Sequence, residues 1–139
     1  MNNRTLKFRA WDTLAKKFTY PDKGYQGHYV LTLNGEFWNL QNGSGGDEYV
    51  VQQFTGLKDS KGIDIYEGDV VKIIYEGTIA EVYFDSNICA FRLKDNTSKS
   101  YPITTYRFDE SHNPIGLINV FDEVIGNIFE SSELLKNEN

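Results

Sequence analysis

Turn signals recur along this chain at short, nearly even intervals, and that spacing constrains the fold more than any other feature. Asn34-Gly35, the glycine-rich stretch at 42–47, and the polar segments at 58–62, 67–69, 76–77, 85–87 and 94–99 are all built from Gly, Asp, Asn, Ser, Thr, Lys or Glu. Between them lie short alternating or β-branched runs: KFRAW at 7–11, YVVQQF at 49–54, IDIY at 63–66, VVKIIY at 70–75, and further runs at 78–84, 88–93 and 120–129. Many short strands joined by tight turns read as a small barrel or sandwich. No internal repeat and no long amphipathic helix interrupts the pattern. Nine Phe, nine Tyr and two Trp raise the aromatic share to 14%, and flat side chains suit half-buried pleated surfaces.

The fold class is therefore mainly β. Residues 69–128 fit a five- or six-stranded barrel of SH3-like size, about residues 49–130 in all, with the N-terminal part supplying an extra hairpin. The glycines at 42–47 mark the division of a single 139-residue domain into an N-terminal β subdomain, 1–46, and a barrel core, 47–139. The clearest hairpin signal is Asn34-Gly35, whose tolerance of positive φ suits a two-residue type I′ turn. That turn pairs Leu33 with Glu36, Leu31 with Trp38 and Tyr29 with Leu40. One apolar face then carries Tyr29, Leu31, Leu33, Trp38 and Leu40, with Trp38 as a core anchor. A two-residue loop at Glu76-Gly77 would pair Ile74 with Ile79, Lys72 with Glu81 and Val71 with Val82. Glu is poorly suited to positive φ, so a longer or bulged loop is the alternative. Residues 100–104 read as a short edge strand with Pro102, and 109–116 as a surface loop. Gly126 inside the last strand signals a bulge or a close backbone approach. Ser131 or Ser132 caps a short C-terminal helix over Ser132–Leu135.

The net charge is −6, and the fourteen basic residues are scattered, with Lys16-Lys17 and Lys58/Lys61 the nearest to clusters. This balance disfavours nucleic-acid binding without excluding it. A lone cysteine, Cys89, rules out a disulfide framework or a thiolate metal cluster. Its apolar surroundings, Ile88-Cys89-Ala90-Phe91, read as core, and a reducing cytoplasm fits. No apolar run approaches the ~20 residues of a membrane span, and the start is not a signal peptide.

Chemistry is sparse. His28 lies in a Gly-rich turn and His112 in the DESHNP loop, without further ligands at metal spacing. Ser111, His112 and Asp109 form a triad only on paper. Asp64, Glu67, Asp69 and Asp85 lie close in sequence and could support acid–base work or a divalent cation, but they read first as solvated strand ends, with Asp69 bonding N–H groups of its turn. The 42–47 glycines lack the Gly-Lys-Ser/Thr of a phosphate loop. No catalytic residue, metal or cofactor is expected. Exposed aromatics are the remaining lead, because Trp11, Tyr20, Tyr25, Tyr66, Tyr101 and Tyr106 exceed what a small core absorbs. Trp11, Tyr66, Tyr101 and Tyr106 are the binding candidates; the competing reading has them covering the seam between the N-terminal unit and the barrel.

Three segments resemble one family. Phe8-Arg9-Ala10-Trp11-Asp12 is similar to its opening FRAWD. Gln53-Phe54-Thr55-Gly56-Leu57-Lys58-Asp59, leading to Ile65-Tyr66-Glu67-Gly68-Asp69-Val70-Val71, is similar to its central motif. Glu123-Val124-Ile125-Gly126-Asn127-Ile128-Phe129-Glu130 with Glu133-Leu134-Leu135 is similar to its close. On these motifs the chain resembles the YopX family of small phage and prophage proteins. Phe129 stands where Tyr is frequent, and Ser131-Ser132 replaces the usual Asn-Pro. The resemblance implies an SH3-type barrel with an N-terminal extension, a bacterial host's cytoplasm, and no catalytic residues to carry over. The expected function is a non-enzymatic protein-interaction module that contacts a host or phage protein, or its own copies as a homo-oligomer. The alternative is a nucleic-acid-associated accessory protein, or an acidic mimic acting on a host nuclease or regulator. A small hydrolase or metal enzyme is the least supported reading.

Overall fold

β1 (Phe8–Asp12) organises the N-terminal part of the chain. In this computed structural model, which describes residues 4–20, 27–74 and 77–136, β1 pairs on one side with β2 (Lys17–Thr19) and on the other with β5 (Tyr49–Lys58). The β1–β5 register runs antiparallel from Phe8↔Gln53 to Asp12↔Tyr49. Arg9, Ala10 and Trp11 are all buried, so both faces of β1 are covered. The Trp11 ring meets Phe18 edge-on at 4.9 Å. Arg9, two residues earlier on the same face, has its guanidinium 4.2 Å from the Phe18 centroid and donates through Nε to Gln52 Oε1 at 2.9 Å. The chain forms two compact units, Met1–Gly56 and Leu57–Asn139. The division falls inside β5, ten residues beyond 46/47. The pairing with β1 is the reason that the first part of β5 belongs to the N-terminal unit.

β3 (Tyr29–Leu31) and β4 (Phe37–Asn39) form the expected hairpin in a different register. Tyr29 pairs with Asn39, Val30 with Trp38 and Leu31 with Phe37. The two-residue turn is replaced by a longer loop in which Thr32 N donates to Glu36 O and Gly35 N to Thr32 O. A one-residue change of register exchanges the faces of one strand. Phe37 therefore joins Tyr29 and Leu31, stacking on Tyr29 at 5.3 Å and meeting Tyr49 at 4.9 Å. Leu33 and Leu40 are left in solvent. Trp38 lies on the other face against Gly45, where an added Cβ would come within 2.3 Å of the indole. The expected apolar face of Tyr29, Leu31, Leu33, Trp38 and Leu40 is thus corrected to Tyr29, Leu31 and Phe37.

The second unit holds β6 (Asp64–Tyr66), β7 (Asp69–Ile73), β8 (Ile79–Asp85), β9 (Ala90–Asp95), β10 (Ser100–Pro102), β11 (Thr104–Phe108), β12 (Pro114–Asn119) and β13 (Phe121–Asn127). Five of these form one antiparallel sheet in the order β10-β9-β8-β7-β13, curled as a half-barrel. Its concave side carries the core: Ile65, Val71, Ile73, Ala80, Val82, Leu93, Val120 and Phe121. Fully burying each large aliphatic side chain contributes about 1.5–3 kcal/mol. β7 and β8 pair as Val70↔Glu81, Val71↔Ala80 and Lys72↔Ile79. Relative to the expected Glu76-Gly77 loop this is a shift of two, which preserves the faces; Tyr75 and Glu76 lie outside the described residues. Among the described residues β11 and β12 pair only with each other.

At the C-terminal end β13 is irregular between Phe121 and Val124 and between Val124 and Gly126. A Cβ on Gly126 would stand 2.5 Å from Ser131 Oγ. Both the irregularity and the close approach read from Gly126 are present. The expected C-terminal helix is instead a single 3-10 turn over Ser132–Leu135, and the Ser131 side chain makes no capping bond. Asn127 holds the preceding bend, accepting from Phe129 N and Glu130 N.

One turn design recurs. An Asp or Thr accepts backbone N–H bonds across the loop, and the third or fourth residue after it adopts positive φ. Asp59 precedes Gly62, Asp95 precedes Ser98, Asp109 precedes His112, Thr32 precedes Gly35, Asp12 precedes Lys16 and Asp85 precedes Cys89. Cys89 is exposed, with φ 54. It sits in the turn before β9 rather than in a core strand, which corrects the expected burial: β9 starts at Ala90 because Asp85 needs these residues to close its loop. Among the described residues, no helix is long and apolar enough to cross a membrane.

Candidate functional site

The four aromatic candidates occupy different environments. Trp11 and Tyr66 are only 5% and 3% exposed, so the interior takes both. Tyr101 is half-buried against the core of the second unit. Its hydroxyl donates to Asp95 Oδ2 at 3.0 Å, with Lys99 Nζ 5.1 Å from its ring. Tyr20 is half-buried and accepts a 3.3 Å bond from Arg9; Tyr25 lies outside the described residues. Tyr106 is 55% exposed, and it has company.

That company is the β11–β12 arm. Tyr106 lies opposite Leu117, and Phe108 opposite Pro114 after a register shift between Arg107 and Phe108. Strand alternation puts Tyr106, Phe108 and Leu117 on one side, and the Tyr106 and Phe108 rings lie 6.5 Å apart. Phe108, Ile115 and Leu117 are all more than half exposed. The tip is closed by Asp109, whose Oδ1 accepts from Ser111 N and Asn113 N at 2.9 Å. The backbone N–H of Asn113 is the largest influence on its carboxyl; burial opposes it, and the Ser111 N–H and the Asn113 side chain add to the lowering, so the group lies below the ordinary carboxylate range. At the base, Val120 N donates to Ile103 O and Asn119 Nδ2 to Lys58 O at 3.2 Å. Residues 109–116 read from sequence as one surface loop; the loop proper is only the Asp109 turn, and Pro114 opens a strand. The signal that could have found the arm is the recurrence of this turn design after Thr104-Thr105-Tyr106.

The acidic and histidine candidates do not converge. Asp64 pairs with Lys58 at 2.6 Å, Asp69 accepts from Tyr66 N at 2.8 Å, and Asp85 accepts from Asn87 N. Asp109 is engaged with backbone N–H groups of its own turn. Among the described residues no three His, Cys, Asp or Glu side chains are grouped to hold a metal ion. In the first unit a groove of about 300 Å³ is lined by Phe8, Tyr20, Tyr29, Leu31 and Phe37, with Lys7 at its margin. Its lining carries no carboxylate and no imidazole among the described residues.

The profile of the YopX protein family matches residues 7–136, nearly the whole chain. The chain belongs to the YopX family. The crystal structure of protein EF1440 from Enterococcus faecalis is similar, with a TM-score of 0.53 and 24% sequence identity over 96% of this chain and 100% of that one. That likeness concerns the fold. No curated protein matches the chain.

In this YopX protein the motif segments are joined by hydrogen bonds. Val124 N, from the closing motif, donates to Asp59 Oδ2 at 3.0 Å, and Lys61 N and Ile63 N donate to Asp59 Oδ1 at 2.9 Å. Burial pushes the Asp59 carboxyl up. The three N–H groups, Val124 first, and the Lys61 ammonium outweigh it and hold the group below its ordinary value. Ile128 N donates to Gly68 O at 2.8 Å, and Gly68 N to Val82 O at 2.7 Å. In these bonds the central and closing motifs fasten the second unit.

Proposed function

We propose that this YopX protein is a non-enzymatic protein-interaction module that engages its partner through the apolar side of the β11–β12 arm. One observation carries the reading: Tyr106, Phe108, Ile115 and Leu117 are each more than half exposed on a ribbon that, among the described residues, pairs with no other strand. A two-stranded ribbon is marginal alone, contiguous apolar patches mark interaction sites, and aromatic residues are enriched at interface centres. The second unit serves as a scaffold of SH3-like size that presents the arm. The phage or prophage setting implied by the family resemblance makes the partner a host or phage protein in a bacterial cytoplasm, or a second copy of this chain. No cofactor is needed for this role.

The test compares the tagged wild-type chain with the double variant F108S/L117S, by light scattering on purified protein and by affinity capture from the bacterial host. Self-association or a captured protein that the double variant loses, with its circular dichroism unchanged, is the expected result. A wild-type chain that stays monomeric and captures nothing beyond what the variant captures sinks the reading.

A further inference from the structure

The chain is acidic overall, yet one sheet face gathers cations around an aromatic ring. On β8 and β9, Val82 and Leu93 point into the core, so alternation turns Tyr83, Arg92 and Lys94 to the opposite face. Tyr83 lies directly across from Arg92, and Lys94 lies across from Ser100 on β10. The Ser100 hydroxyl joins the group, meeting Tyr83 Oη at 2.8 Å and accepting from Arg92 Nε at 2.7 Å. Lys94 Nζ stands 4.8 Å from the Tyr83 ring centroid. Lys99, one residue before Ser100, lies toward the other side, with its Nζ 5.1 Å from the Tyr101 ring. Arg92 and Lys94 form no ion pair among the described residues. Glu81 lies directly across from Lys94 on this face.

We propose that this face binds single-stranded nucleic acid, with Arg92 and Lys94 meeting phosphates and Tyr83 stacking a base. Arg92 and Lys94 are two residues apart on one strand, about 6.6–6.8 Å, near the separation of successive phosphates in an extended single strand. A ring beside cations on a half-exposed sheet face is an arrangement that tracks such a backbone while accepting any base. Ser100 fixes the ring hydroxyl and one guanidinium nitrogen before a ligand arrives. The remaining guanidinium N–H groups and the Lys94 ammonium are left to donate to phosphate oxygens. A base on Tyr83 moves the Lys94 ammonium aside on its flexible stem and leaves it beside the phosphate. An acidic protein segment would use the same cations but has no need of the ring, which makes the two ligand classes separable.

The experiment titrates the full chain into a fluorescein-labelled oligothymidylate of about fifteen nucleotides and follows fluorescence anisotropy at several salt concentrations. Two phosphate contacts give a log–log salt slope of about −1.4. Y83A is expected to weaken binding about 5- to 100-fold with that slope unchanged. R92Q/K94Q is expected to flatten the slope, and E81Q to tighten binding. Circular dichroism checks that each variant is folded; if R92Q/K94Q is not, K94Q alone reads the slope instead. Three results each overturn the proposal: no binding at low salt, binding indifferent to salt, or polyglutamate of matched charge competing as well as unlabelled oligonucleotide.

Discussion

At Asp59 one carboxylate ties its own turn to a strand that arrives sixty-five residues later. Its folded pKa lies below the ordinary value, so the stabilisation it gives is present above the unfolded value of about 3.9 and is lost as pH falls through the lower folded one. Asp59→Asn keeps an acceptor for one pair of N–H groups but turns an amide NH₂ or a single shared oxygen toward Val124. It is expected to cost about 1–3 kcal/mol at neutral pH and to give a shallower loss of stability below about pH 4, both read from urea unfolding at stepped pH. Asp95 has the same sign, lowered first by the Thr97 hydroxyl, but is less enclosed. A second residue-scale expectation concerns His112, at φ 65. Left-handed backbone costs a non-glycine residue about 1–2 kcal/mol, so His112→Gly is expected to raise the thermal midpoint despite glycine's greater unfolded freedom. The sequence revealed where these turns lie, because Asp, Asn, Ser and Gly mark them. It did not reveal which residue turns left-handed, since nothing in a Lys, Cys or His side chain demands that conformation. Cys89 is the clear case: its apolar neighbours read as a strand, while the Asp85 turn placed it in solvent.

Whole elements were more legible than their registers. The hairpin at residues 29–39 is present, but the Asn34-Gly35 signal fits both a two-residue turn and the longer loop, and only Thr32 Oγ1 accepting from Glu36 N favours the second. Gly126 was legible because a glycine in an apolar strand needs a reason, and Ser131 supplies it. Gly126→Ala puts a methyl 2.5–2.6 Å from Ser131 side-chain atoms, and overpacking of this kind costs about 1–3 kcal/mol, measurable as a lower denaturation midpoint. The β11–β12 arm escaped the sequence reading because Pro114 and Gly116 break the pattern of a central strand. Both are tolerated in a ribbon with free edges. Since its large side chains are already in water, F108S/L117S is expected to change stability by less than about 0.5 kcal/mol per site while removing association. Of the binding candidates Trp11, Tyr66, Tyr101 and Tyr106, only Tyr106 stands on this arm, because composition counts aromatic residues without saying which of them a core encloses.

The molecule as a whole is held by pairings distant in sequence, such as β1 with β5 and β7 with β13. Chains dominated by such contacts fold in milliseconds to seconds rather than microseconds. Native-state hydrogen exchange is expected to be slowest for β7, β8 and β9, which surround Val71, Val82 and Leu93, and fastest in the β11–β12 arm. Leu93→Ala is expected to cost about 2–5 kcal/mol and to speed exchange throughout the five-stranded sheet; a change confined to β9 would count against a single cooperative core. The mainly β architecture followed from turn spacing, and the family motifs proved to be its internal fastenings. The placement of Cys89 has a practical consequence. It is the chain's one cysteine, it lies in solvent in the turn between β8 and β9, and neither the arm nor the cluster of Tyr83, Arg92, Lys94 and Ser100 includes it. A thiol-reactive dye should therefore couple once per molecule, giving the unmutated protein a fluorescent reporter for finding what it meets.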